Sequence, residues 1–374
     1  MRSTKHGLDA VLRARRPRLA AVFGHALWAV SSLLLAVVAS GVLLFALGRS
    51  PLAFYTDLVA AGIGQSFGLV DSVIRMGPLL LIAAGLAVAF RAGLWNLGAD
   101  GQFLLAAAIV AGVAPSVQRA IPGLASIAIL FLVGVAVGGA WSVLPAFLKS
   151  SYGMNEVITS LMMNFIGLGV ANLLVKGPFV GPLLVQTNDI PELLPGILES
   201  RVHVGVIVAI AAVLVLHLLM SRTAFGVGLD VLGSNPRAAV HLGVDVAKLT
   251  MIAFVTSGGL VGLAAAIEIL GVWGYMRADW NPGYGLLVIP LVFLARLNIL
   301  AIVPFAALFG VISVGGQFAT RRAGLPNDFS LVLVGLMLLA MLSTQVVAKK
   351  VSTASRPRFA LPKRSFAATG ETDA

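Results

Sequence analysis

Charge is missing from this chain over long stretches, and nothing else in the sequence constrains its fold as strongly. The start carries Arg2, Lys5, Arg13, Arg15, Arg16 and Arg18 against Asp9 alone, and then no charged side chain appears from residue 19 to residue 48. Further uncharged runs cover residues 76–90, 102–118, 120–148, 157–175, 202–221, 249–267, 280–295, 297–320 and 329–348. A helix crosses the hydrocarbon core of a bilayer with about 20 apolar residues, with allowance for tilt and interruption. The first run reads as an uncleaved membrane helix over residues 25–47, since it far exceeds the roughly 7–15 residues of a signal-peptide core and ends without a clean cleavage site. The expectation is an all-α polytopic membrane protein of about ten transmembrane helices. Composition agrees: charged residues make up 11% of the chain, against about a quarter in soluble proteins, and the mean hydropathy is +1.00.

The formal charge of +11 does not point to nucleic acid, because the basic residues sit at the termini and in short loops rather than along one amphipathic face. Topology accounts for them. With ten spans and both termini in the cytoplasm, the inner side holds the six basic residues of the N-terminus and six of the C-terminus (Lys349, Lys350, Arg356, Arg358, Lys363, Arg364). Arg91, Lys149, Arg222, Arg237, Lys248 and Arg296 join them, 18 of the 26 Lys and Arg, which obeys the positive-inside rule. Arg321 and Arg322 fall outside in this scheme. The chain then divides into a basic cytoplasmic N-terminus (residues 1–24), a transmembrane domain (25–348) in the plasma membrane, and a polar cytoplasmic tail (349–374) expected to be disordered. Residues 49–75 read as an external loop with room for an interfacial helix. Residues 176–201, with four prolines, read as an external loop able to meet a partner protein. Without cysteine there is no disulfide, thiolate metal site or cysteine nucleophile. His203, His217 and His241 lack ligand spacing, so neither a metal nor a cofactor is expected.

Between the runs at 76–90 and 102–118 stand Arg91, Ala92, Gly93, Leu94, Trp95, Asn96, Leu97, Gly98, Ala99, Asp100 and Gly101, followed by Gln102. Three glycines, amides and a carboxylate occupy a place where a helix would otherwise continue. In lipid, backbone that leaves the helix survives only where it is buried in protein or lines a cavity, and such breaks mark solute paths in transporters. The reading is a broken helix in the N-terminal half, with Asn96, Gly98, Asp100, Gly101 and Gln102 on a solute path; a short loop at the membrane surface is the alternative. Ionisable and amide groups inside spans extend the candidate path to Asn155, Glu156 and Asn164. For Glu156 a boundary or capping role stands beside the functional one, and for Asn164 a role joining helices. Glu268 lies near the outer end of its run, within reach of water, and Trp273, Tyr275, Trp280 and Tyr284 read as an aromatic belt.

The inner loop carries a capped helix. Asn235 suits the N-cap, Pro236 the first helical position and Gly243 the position past the C-terminus. The short helix between them presents Ala238 and Ala239, a small face that lets another protein approach closely. Four stretches in register then resemble the permease subunits of bacterial ABC importers for nucleosides and simple sugars: residues 93–102, 154–165, 233–243 and 256–265. The resemblance runs from about residue 76 to residue 348. It departs at Asp100, where the family pattern Asn-x-Gly-x-Glu-Gly-Gln has a longer carboxylate. The resemblance implies a cytoplasmic ABC ATPase that receives the helix at Asn235, Pro236, Ala238, Ala239 and Gly243 in a cleft. It also implies a second permease subunit, identical or related, and an extracytoplasmic solute-binding protein. The sequence has no Gly-Lys pair, hence no P-loop, and ATP hydrolysis falls to another chain; the subunit itself is not expected to be an enzyme. A neutral polar solute, a nucleoside or sugar, suits a path of amides with few fixed charges. A permease for branched-chain amino acids or another small solute is the alternative. A secondary transporter would require an acidic cluster near the midplane, and a purely structural membrane protein would leave uptake independent of the chain.

Overall fold

The computed structural model describes residues 30–344, apart from 32, 183–184, 198–199, 327–328, 330–331, 334, 337–338 and 341–342. The expected basic N-terminus and polar tail lie outside the described residues. Contacts divide the chain into two units, Val38–Leu338 and the chain on either side of it, and the first holds the architecture that follows. Its elements are helices. The described residues add only three isolated antiparallel bridges, Val180 with Thr187, Gln186 with Arg277, and Gly196 with His203.

Seven helices among the described residues are long and apolar enough to cross a membrane. Shorter apolar α1 (Leu33–Ala46) and α2 (Pro51–Val59) precede them. The seven are α3 (Ser66–Arg91), α4 (Ala99–Ala120), α5 (Leu124–Tyr152), α6 (Glu156–Lys176), α7 (Val204–Arg222), α10 (Val246–Glu268, continued by a π turn to Trp273) and α12 (Ile302–Arg322). Between α7 and α10 stand α8 (Ala224–Ser234) and α9 (Pro236–His241), and before α12 stands α11 (Tyr284–Leu294). Each of the seven coincides with one of the uncharged runs. The first and last runs, 25–47 and 329–348, reach beyond the described residues.

Two expectations change. Over the run at 280–295, α11 has 11 residues, about 16 Å at 1.5 Å per residue, too short to cross a hydrocarbon core of roughly 30 Å by itself. Hydropathy sees an apolar run but not the left-handed turns at Gly274, Asp279 and Gly283 that keep the chain before it out of a helix. The segment 49–75, expected as an external loop with room for a helix, is helical over most of its length. Pro51 starts α2 behind an N-cap at Ser50, a π turn follows at Ala60–Gly64, and α3 begins at Ser66, so Asp71 and Arg75 are helical.

Ion pairs and cavities sort the ends of the bundle. At one end Arg91 grips Asp230 through two bonds of 2.8 and 2.5 Å, and Lys149 pairs with Glu156 at 2.8 Å. Arg91, His217, Asp230 and Arg296 share a cavity there. At the other end Lys176 pairs with Asp279 and Arg201 with Asp71. Residues 187–194 lie along residues 270–276 through Thr187 N–H to the Met276 carbonyl (2.9 Å), Ile190 to Gly274 (2.8 Å) and Leu194 to Leu270 (2.9 Å). Gln118 holds this loop by donating to the Glu192 carbonyl (2.7 Å) and accepting from its N–H (3.0 Å).

The tightest helix contact joins α5 to α10. Gly134 and Gly138 on one face meet Gly258 and Gly262 on the other, the small-xxx-small spacing that lets backbones touch in membranes. A Cβ on Gly262 would lie 1.9 Å from the Gly134 carbonyl oxygen, and one on Gly258 would lie 2.4 Å from that of Gly138. Gly316 of α12 has nothing within 4 Å of a Cβ. Gly262→Ala should therefore destabilise the detergent-solubilised chain by about 1–3 kcal/mol through overpacking, whereas Gly316→Ala should leave it unchanged or slightly firmer. Thermal unfolding of the two variants side by side measures this, and equal melting would show that α5 and α10 do not meet at these glycines.

Candidate functional site

Helix α3 ends at Arg91, and Gly93, with φ +72°, turns the chain so that Leu94 N–H reaches the Ala89 carbonyl. Residues 92–98 are not helical, yet most are buried. Because α3 and α4 are each long enough to span by themselves, the stretch joins two complete helices. Its polar side chains are engaged with one another. The Asn96 amide donates to Gln102 Oε1 (3.2 Å) and Ser257 Oγ (3.0 Å), and its oxygen accepts from Gln102 Nε2 (3.0 Å) and Gly98 N–H (3.2 Å). Both residues are at most 1% exposed. Asp100, on the first turn of α4, accepts the Gly285 N–H at 2.6 Å, tying α4 to the start of α11.

The other expected residues also have partners inside the chain. Asn155 is exposed and caps α6 by accepting from Val157 N–H (2.9 Å). Glu156 pairs with Lys149, and Asn164 accepts the Gly101 N–H at 2.5 Å. Hydrogen bonds thus join Asn96, Gly98 and Gln102 to one another and Gly101 to Asn164, while Asp100 holds Gly285 and Asn155 stands apart at the surface. At the loop helix, Asn235 caps α9 by accepting from Arg237 and Ala238 N–H, Pro236 takes the first position, and Gly243 follows with φ +77°. The small face is a correction. Ala239 is fully buried against its own chain, and the outward groups are Val240 and Leu242, 62% and 70% exposed. A six-residue helix must turn one side to the bundle, and the smaller residue took it.

A second polar group lies where α3, α10 and α11 meet, and sequence reasoning did not bring it together. Arg75 of α3 pairs with Glu268 Oε1 at 3.3 Å and donates to the Tyr284 hydroxyl. Tyr284 donates to the same carboxylate oxygen at 3.0 Å, and so does the Trp273 indole at 3.2 Å. Three donors converge on Oε1, while Oε2 is buried without a hydrogen-bond partner. Glu268 is 1% exposed, so the expected contact with water is not made in this conformation. Tyr284 is buried as well, against Phe103 in an edge-on contact at 5.5 Å, and Trp280 packs on Trp273 at 5.4 Å. Tyr284 is thus interior, while Trp273 is 37% exposed and Tyr275 and Trp280 are part-buried.

Two cavities flank the cluster. One of ≈ 220 Å³ is lined by Asp71, Arg75, Arg201, Glu268 and Gln317, among others. The second, of ≈ 240 Å³, has Trp273, Trp280, Tyr284 and Ser313 in its wall. Arg75 and Gln317 line both.

Spanning helices around a buried charge pair, with cavities beside it, define a multi-pass membrane protein that holds polar groups inside its bundle. The chain belongs to the family described as the permease component of branched-chain amino acid transport systems, which matches residues 68–342, and it is therefore a plasma-membrane permease. It is 30% identical to a glucose ABC transporter permease, TsgB13, of Haloferax volcanii over 84% of this chain and 87% of that protein. It is 25% identical to a guanosine ABC transporter permease, NupP, of Bacillus subtilis over 86% and 94%. With a nucleoside ABC transporter permease, NupB, of Lactococcus lactis it shares 26% identity over 86% and 88%. No solved structure matches the chain.

Arg75→Met should cost about 3–5 kcal/mol, because it leaves Glu268 buried and unpaired. Adding Glu268→Gln should restore part of that loss. Thermal unfolding of the single and double variants in detergent tests the pairing; additive losses would show that the two charges do not interact.

Proposed function

We propose that the chain forms the membrane path of an ATP-driven importer for a neutral polar solute, a nucleoside or a simple sugar. The observation that carries this is similarity over 84–86% of the chain to permeases named for glucose, guanosine and nucleosides. The family description, which names branched-chain amino acids, favours a second reading in which such an amino acid is carried.

In the first reading the end with Arg91, Lys149 and Arg296 faces the cytoplasm, following the positive-inside rule, and both termini lie there. A separate ABC ATPase docks on α9, with Asn235, Pro236 and Gly243 setting the shape of the helix, Ala238 half-buried at its edge and Ala239 anchoring it. Val240 and Leu242 supply the apolar contact. A solute-binding protein meets the opposite end, where residues 187–194 cover residues 270–276, and a second permease subunit, identical or related, completes the channel. The turn at 92–98, between the spanning helices α3 and α4, borders the path. Asn96, Gly98, Asp100, Gly101 and Gln102, with Glu156 and Asn164, frame that path, and Asn155 fixes the start of α6 beside it.

Two measurements test this. Labelled guanosine and glucose should enter cells that rely on this transporter, and uptake should stop when the partner ATPase carries an inactive ATP site. Val240→Glu combined with Leu242→Glu would bury unpaired charge in the interface at a cost of several kcal/mol. It should therefore release the ATPase from pull-downs and abolish uptake while the chain stays in the membrane. Ala239→Glu, by contrast, should destabilise the chain itself. Normal co-purification and uptake by the double variant would remove α9 from the coupling path.

A further inference from the structure

We propose that the paired cavities around Arg75, Glu268 and Tyr284 are the solute-holding site of a single subunit, and that this site selects a neutral ring bearing hydroxyl or amine donors. The inference rests on the importer reading and assigns it residues.

The geometry supplies each part. Trp273, Trp280 and Tyr284 give the second cavity an aromatic wall, and flat or apolar ring faces of a base or a sugar pack on such surfaces. Arg75 and Gln317 stand on the boundary of the two cavities and offer donors and an acceptor to both sides. Glu268, in the wall of the first cavity, keeps one carboxylate oxygen buried without a partner. A buried carboxylate oxygen without a donor is costly, and a hydroxyl or ring amine of a solute is the kind of donor that Glu268 lacks. Each cavity by itself is below the roughly 300 Å³ at which sites for drug-sized ligands begin. One cavity therefore takes one ring, and a solute with two rings engages both across Arg75 and Gln317.

Charge then decides between the two solute classes. The guanidinium and carboxylate are already matched with each other, so the site has no net charge to offer. An amino acid would bring a carboxylate that must displace Glu268 from Arg75, leaving Glu268 buried and unpaired. A nucleoside or sugar makes no such demand.

The test uses the assembled transporter with its ATPase and partner permease, and labelled guanosine and glucose as probes. Trp280→Leu should raise the half-saturating concentration of the transported solute by about tenfold, the scale of one lost stacking contact, with unchanged amounts of chain and bound ATPase in the membrane. Trp280→Phe, which keeps a flat face, should stay close to wild type. Ser313→Leu, which fills the second cavity, should cut uptake at every concentration. Excess leucine should not compete. Wild-type saturation in both Trp280→Leu and Ser313→Leu, or full competition by leucine, would overturn the proposal while leaving import itself intact. If wild type carries neither probe, the importer reading falls first and the site assignment with it.

Discussion

A peptide group that leaves the helix inside a membrane protein must find its hydrogen bond within the protein, since lipid offers none. This chain leaves the helix at residues 92–98, most of them buried, and again at 274–283, where Gly274 and Met276 are buried. Side chains supply part of the bonding for the backbone in and beside both stretches. Ser160 accepts from Leu97 N–H at 3.0 Å, Asn96 from Gly98 and Asn164 from Gly101. Across the bundle Thr187 accepts from Met276 N–H at 3.0 Å and Asp100 from Gly285. The amides and hydroxyls that stand out in the apolar sequence are there first as backbone partners.

The same requirement accounts for the shortened carboxylate at position 100. Asp100 receives the N–H of Gly285, a residue where a Cβ would lie 2.8 Å from the carboxyl carbon. Backbone and carboxylate are in direct contact, and a side chain longer by one methylene would have to fold aside or push α11 away. Holding the N-terminus of α11 at this depth in turn brings the Tyr284 hydroxyl to Glu268 and Arg75. The framing group at one turn and the charged cluster at the other are therefore linked by a single residue step, from Gly285 to Tyr284.

How much of this the sequence revealed follows from what each pattern measures. Uncharged runs measure burial of apolar side chains, and they located the seven long helices. Caps are local, so Asn235, Pro236 and Gly243 could be assigned with no knowledge of the fold. Hydropathy carries no information on backbone dihedrals, which is why the short α11 passed for a span. Nor does it tell which neighbour a side chain meets: Asn96 and Gln102 looked like groups awaiting a solute, and they face each other. Arg75 and Glu268 each border an apolar run, 76–90 and 249–267. The two runs enter the bundle in opposite directions, so these borders fall at the same end. That was the one signal from which the pair could have been inferred, and it requires the topology before it can be used.

Two of the Arg–carboxylate pairs, Arg91 with Asp230 and Arg75 with Glu268, differ in a way that stability does not explain. Arg91 and Asp230, partly exposed, meet through two short bonds, the geometry in which guanidinium and carboxylate match best. Arg75 and Glu268, where burial makes imperfect pairing most expensive, meet through one oxygen at 3.3 Å and leave the other without a donor. A pair kept for stability alone would be replaceable by apolar packing at no loss. Its place beside two cavities, with Arg75 lining both, fits a pair that holds the cavities' charge at zero.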